Sequence, residues 1–175
     1  MPYEYTREPL TQEEQNRLAN TCQTHREKLV VWTLLDTGLR VAELAELRKS
    51  NIDWQGHCLV IYGKWEPNSG KKKRRVVPLT PRIQPLLEGH FSIHASLGLG
   101  SRTIQRMVKT AANRACISRK VSPHVLRHSF AVTAIRKGIS LPSLQRLLGH
   151  DYVSTTQIYL NLHPEDVLSE FRQKW

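Results

Sequence analysis

Acidic residues are scarce in this chain. Only 15 Asp+Glu stand against 26 Lys+Arg, leaving a formal net charge of +11. Such an excess favours a polyanionic partner, above all nucleic acid, over a solvated basic surface. Cysteine is scarce too. Cys22, Cys58 and Cys116 lie far apart and form no CxxC pair, which excludes a disulfide scaffold and fits reduced thiols in the cytoplasm. No apolar run reaches the roughly 18 residues of a membrane span, and Met1 leads into polar sequence with no apolar signal core. Internal repeats and low-complexity linkers are missing as well. What remains is 175 residues, 39% hydrophobic, enough for one domain with its own core.

Local signals predict a mainly α chain with one small antiparallel sheet, an α+β class. "LTQEEQNRLANTC" opens a helix, with Thr11 as N-cap, Glu14 completing a capping box and Leu10 as staple. "REKLVVWTLLDTG" is an apolar helix stopped by Gly38, and "LRVAELAELRKSNIDW" follows with Val41, Leu44 and Leu47 on one face. "HCLVIYG" and "RRVVPL" read as strands joined by the basic connection "KWEPNSGKKK". Thr80 is expected to cap a short helix with Pro81 at its first position, and "HFSIHASLGLG" reads as loop. Further helices are expected over "SRTIQRMVKTAANRAC", "SPHVLRHSFAVTAIRKG" and "SLPSLQRLLG", the last stopping at Gly149. "STTQIYL" and "HPEDVLSEFRQKW" complete the set.

Several polar residues stand near the ends of these elements. Arg40 follows a helix break, where its fork of donors can hold a phosphate. A bond to backbone carbonyls or to a surface carboxylate is the plain alternative. Glu43, three residues on, can orient that guanidinium. His124 and Arg127 share one face at a helix start, a position that favours anions. His124 and His128 also have the i, i+4 spacing of zinc ligands, but Val125 stands where a metalloprotease helix needs Glu, and no carboxylate or cysteine completes a set. Lys64 ends the first strand and can donate a proton to a leaving alkoxide. Lys71, Lys72, Lys73, Arg74 and Arg75 form a charge run, read either as a solvated face or as a DNA-backbone contact. His150 follows the Gly149 stop, and Tyr159 comes soon after. Metal-free phosphodiester transfer needs a nucleophile, a donor to the leaving oxygen and fixed positive donors. These residues supply all three, with Tyr152 a second candidate nucleophile. No carboxylate cluster suits a two-metal nuclease.

Taken in order, "TGLRVAEL", "YGK", "HVLRHSFA", "LLGH" and "TTQIY" resemble the catalytic domain of the tyrosine recombinases, which include phage integrases and Xer recombinases. The resemblance runs from about Leu10 to the C-terminal helix. It implies a site-specific recombinase or integrase that cleaves and rejoins DNA through a 3′-phosphotyrosine, without metal, ATP or other cofactor. The implied roles fall on six residues. Arg40 and Arg127 hold the scissile phosphate. Lys64 protonates the leaving 5′ oxygen, with Lys71, Lys72 and Lys73 as alternatives because the hairpin connection is long. His124 is the acid/base histidine, His150 bonds a non-bridging oxygen, and Tyr159 is the nucleophile. Glu43 supports the first arginine. Each arginine is expected to be essential for cleavage and dispensable for the fold. Double-stranded DNA is the implied partner, with tetramer assembly through the C-terminal helix. Residues 1–175 are expected to form the catalytic domain without the N-terminal clamp domain that the family usually carries. A catalytically silent DNA-binding regulator of the same fold and a type IB topoisomerase-like enzyme are the alternatives.

Overall fold

The computed structural model describes residues 8–65 and 72–149. Among these residues seven α-helices, one short 3-10 helix (Lys49–Asn51, after α3) and three strands follow one another as α1 (Gln12–Asn20), α2 (His25–Thr37), α3 (Val41–Ala45), β1 (Ile52–Asp53), β2 (Cys58–Trp65), β3 (Lys72–Pro78), α4 (Gln84–Ile93), α5 (Ser101–Arg114), α6 (Pro123–Arg136) and α7 (Leu141–Leu148). The mainly α class with one small antiparallel sheet holds. No helix among the described residues is long and apolar enough to cross a membrane.

Two helices form the centre. α2 buries Leu29, Val30, Val31, Leu34 and Leu35, apolar residues that surround its axis, as expected of a helix enclosed by others. It packs against α1, α4, α5 and α6. Each fully buried aliphatic side chain contributes about 1.5–3 kcal/mol. α6 is likewise buried on several sides, through Val125, Leu126, Ala131 and Val132. Its enclosure also takes Arg127 out of solvent. α7 closes a smaller apolar cluster, in which Leu144 and Leu148 meet Ala131, Val132 and Ala134.

Helix boundaries follow the local signals closely where caps exist. The Thr11–Glu14 capping box forms in both directions, Thr24 caps α2, and Ser122 caps α6 ahead of Pro123. Gly38 and Gly149 end α2 and α7 in the left-handed region, with φ of 61° and 65°.

Elsewhere long-range contacts override the local signals. Thr80 does not start a helix at Pro81. Its hydroxyl donates to Asp36 Oδ2, residues 80–83 form a turn, and α4 begins at Gln84. Residues 90–93, read as loop, complete α4. α3 stops after five residues because the chain then pairs with a distant segment: Leu97 N–H donates to Leu47 O at 3.0 Å and Lys49 N–H to Ala95 O at 3.0 Å.

The sheet has the order β1-β2-β3, antiparallel throughout, one short strand more than expected. Leu59, Ile61 and Val77 face the core. Leu59 pairs with Val77, Ile61 with Arg75 and Tyr62 with Arg74. Side chains alternate along a strand, so Arg75 shares the inward face of Val77 while Arg74 and Val76 face solvent. The three thiols form no disulfide. Burial, with the nearby Glu27 carboxylate adding to it, pushes the Cys22 thiol up to about 11, which keeps it protonated.

Candidate active site

Three arginines from three separate elements converge on the end of α7. A helix leaves its last carbonyls without intrahelical partners and carries partial negative charge there. Here Arg75 Nε donates to Leu147 O at 2.9 Å, Arg127 Nη2 to Leu148 O at 2.6 Å and Arg40 Nη2 to Gly149 O at 3.3 Å. Consecutive carbonyls are thus each bonded by a different guanidinium.

Each arginine reaches this point for a local reason. Arg40 is the N-cap residue of α3, delivered by the left-handed turn at Gly38. Its side chain is 47% exposed. Arg127 lies one turn into α6, is buried, and ties two helix ends together, because its Nη1 also donates to Gly38 O at 2.6 Å. Arg75 comes from β3 and its side chain is only 9% exposed.

Glu43 joins two of them. Its Oε1 accepts from Arg40 Nη1 at 3.0 Å and from Arg75 Nη1 at 2.7 Å. Its Oε2 accepts from the Arg40 backbone N–H at 2.7 Å and from Arg75 Nη2 at 2.6 Å. Burial alone would raise the Glu43 pKa. The paired bonds and charge of Arg75, with the backbone N–H and charge of Arg40, outweigh it and hold the carboxyl below its ordinary value. Glu43 is therefore ionised at neutral pH. One carboxylate against three guanidiniums leaves the site net positive.

The residues assigned from sequence fall into three groups. Arg40, Glu43 and Arg127 are brought together. His124 sits exposed in the first turn of α6, three residues before Arg127, with its ring centroid 5.2 Å from that of buried His128. Lys64 lies inside β2, which continues through Trp65 rather than ending at the lysine. Lys73 and Arg74 are exposed on β3, and Lys72 begins that strand. Lys71, His150 and Tyr159 lie outside the described residues.

Arg75 requires a correction. Read as part of a run that was either a solvated face or a DNA-backbone contact, it instead turns its largely enclosed side chain into the site, held by Glu43 and Leu147. The alternation Arg75–Val77 on one strand face was the signal that separates it from Arg74. A second feature was also overlooked. Arg102, Arg106 and Lys109 form an exposed basic stripe along α5, opposite buried Ile104, Val108 and Ala111. The i, i+4, i+7 spacing carried that signal. Among the described residues, no group of three or more His, Cys, Asp or Glu is placed to hold a metal ion.

Chemically, the arrangement presents planar donors from a rigid frame beside one half-exposed arginine. That suits a tetrahedral oxyanion such as a phosphate. Arg40 and Arg127 do bond backbone carbonyls, as the plain reading of an arginine predicts. Their convergence on neighbouring carbonyls of one helix end is what that reading does not predict.

A family model described as the phage integrase family matches residues 8–166. The tyrosine recombinase XerA of Saccharolobus solfataricus is 31% identical over 159 residues, 89% of this chain and 52% of that protein. XerA of Thermococcus kodakarensis is 34% identical over 173 residues, 89% of this chain and 58% of its own. The crystal structure of a XerA recombinase matches with a TM-score of 0.80 at 30% identity, over 95% of this chain and 65% of that one. XerH site-specific recombinase, in a post-cleavage complex on palindromic difH substrate, shares the fold, with a TM-score of 0.77 at 22% identity over 94% of this chain and 52% of that one. The chain spans about half the length of the curated relatives it matches. With nearly all of its residues inside the matched family model, and with the arginine-lined helix end among them, the chain belongs to the phage integrase family.

Proposed function

We propose that this chain is the strand-cleaving domain of a site-specific tyrosine recombinase or integrase acting on double-stranded DNA. One observation carries the reading: Arg40 and Arg127, distant in sequence, meet on neighbouring carbonyls at the end of α7, directly before His150 in the chain. Both guanidiniums then lie where one phosphate can be shared between them. Phage integrase family membership supports the same assignment.

In the proposed reaction the Tyr159 hydroxyl attacks the scissile phosphorus. Its proton passes to a base, the role assigned to His124. The bond to the 5′ oxygen breaks, Lys64 protonates that oxygen, and a 3′-phosphotyrosine remains. Attack by a 5′ hydroxyl on that linkage reverses the step and rejoins the strand. Arg40, Arg127 and His150 stabilise charge on the non-bridging oxygens. Bond energy is conserved, so neither ATP nor a metal enters the balance. Acceleration comes from positioning and preorganised charge.

Residues 1–175 serve as the catalytic domain, working in the cytoplasm and assembling as a tetramer on DNA through residues 164–175. The basic stripe on α5, with Lys71, Lys72, Lys73 and Arg74, supplies phosphate contacts. DNA affinity is expected to fall by about a thousandfold between about 50 and 200 mM salt, the response of a surface that neutralises about six phosphates. Filter binding or fluorescence anisotropy across that range checks it, and a flat response removes the phosphate-tracking surface.

The decisive experiment traps the covalent intermediate. Nicked substrates that lose a short fragment after cleavage, supplied as a random-sequence pool, are incubated with the wild type and with Tyr159→Phe, then separated on a denaturing gel. An adduct with the wild type alone is the expected result. DNA binding without an adduct, even on a cognate site with a clamp domain supplied, points to a silent regulator. Relaxation of supercoils without exchange between two sites points to a type IB topoisomerase.

A further inference from the structure

Arg75 has no part in the reaction just described, yet the site is built around it. All three nitrogens of its guanidinium are engaged: Nη1 and Nη2 grip the two oxygens of Glu43, and Nε bonds Leu147 O. The register of β3 against β2, with Arg75 opposite Ile61, points the side chain inward. Gly149 makes room for it. A Cβ at that position would lie 3.0 Å from Arg75 Cδ and 3.2 Å from Nη1, so a side chain there would crowd the guanidinium against the last turn of α7.

We propose that Arg75 is a positioning residue that locks Glu43, and through it Arg40, to the end of α7 and leaves the charge of Arg40 available to a phosphate. The proposal rests on the recombinase reading of the site. Two effects follow from the geometry. Orientation is the first. Glu43 fixes Arg40 by one side-chain bond and one backbone bond, and Arg75 stops the carboxylate from rotating away. A half-exposed arginine without that anchor samples many rotamers. Charge is the second. The forked Arg75–Glu43 pair is neutral as a unit, so Glu43 steers Arg40 without cancelling it. With Arg75 gone, Glu43 pairs with Arg40 alone, and the phosphate loses a cation. A lysine at position 75 keeps one charge but offers no planar fork for two carboxylate oxygens and a carbonyl.

The test uses Arg75→Lys and Arg75→Gln, with thermal unfolding to establish that each variant folds. Hydrogen exchange is followed peptide by peptide in the absence of DNA, and single-turnover cleavage is followed on the nicked substrates. In Arg75→Lys, exchange in peptides covering 40–48 and 143–149 is expected to quicken by about tenfold or more, with α1 and α5 unchanged. The cleavage rate at saturating DNA is expected to fall by about tenfold or more, while the half-saturating DNA concentration stays within about threefold. Arg75→Gln should behave at least as badly.

A wild-type rate in Arg75→Lys overturns the proposal, because charge alone would then suffice. So does a loss confined to half-saturation, which would make Arg75 a DNA contact, and so does a rise in exchange spread over every helix, which would make it a general fold element. If Arg75→Gln does not fold, Arg75→Lys decides. If the wild type forms no adduct on a cognate site, the recombinase reading falls, and the local exchange pattern alone decides whether Arg75 holds Glu43 and α7.

Discussion

Arg127→Ala is expected to abolish DNA cleavage and to weaken the fold in the same molecule. Removing one preorganised donor to a developing oxyanion typically costs about 10²–10³ in rate, and Arg127 presents several. The structural cost has a separate origin. Arg127 is 5% exposed and donates to Gly38 O and Leu148 O. Truncation removes those donors from two carbonyls of buried residues, at about 1–3 kcal/mol for each group left unsatisfied. A total loss of about 2–6 kcal/mol is expected, read as a lower urea midpoint at unchanged slope. Arg40→Ala supplies the contrast. Its side chain is 47% exposed, so it should lose cleavage as fully while costing under about 1 kcal/mol of stability. This revises the expectation that both arginines are dispensable for folding. An unchanged urea midpoint for Arg127→Ala would mean that the two carbonyl bonds contribute nothing. Retained cleavage would remove Arg127 from the phosphate site.

The second large effect belongs to Gly38. It lies in the left-handed region at φ 61°, and a Cβ built there would fall 2.4 Å from Phe130 Cδ1 and 2.9 Å from Leu148 Cδ2. Real Cβ atoms do not tolerate such distances, so the Phe130 ring and the Leu148 side chain must move. Gly38→Ala therefore combines a backbone penalty of about 1 kcal/mol with an overpacking cost of about 1–3 kcal/mol. For a chain of this size that lowers Tm by about 5–15 °C. Gly98→Ala is the internal control. Its φ of 67° imposes the same backbone penalty, but nothing lies within 4 Å of the added methyl, so its loss should stay near 1 kcal/mol. Equal melting temperatures for the two variants would refute the packing contribution. Because Leu148 and the Gly38 carbonyl both border the arginine cluster, Gly38→Ala should also slow cleavage beyond what its stability loss explains.

Much of this protein was legible in its residues taken in order. Thr11 with Glu14, Ser122 with Pro123, and the glycines at 38 and 149 marked helix ends correctly, because capping is settled within one turn of chain. The Arg40–Glu43 pair was legible for the same reason, being three residues apart around a helix start. Lys64 and His124 could be given chemistry but not a place. The tertiary structure alone decided the rest. Thr80 turned to Asp36 instead of capping a helix, and 95–97 drew α3 to an early end, each through partners far off in sequence. Arg75 is the clearest case. Its neighbours suggested a solvated basic run, and only strand register combined with the nearness of α7 turned it inward to Glu43. Local hydrogen bonds and periodicity determine where helices and strands begin and end. Which carbonyls three distant arginines share depends on how those elements pack, and packing is set by the whole core at once.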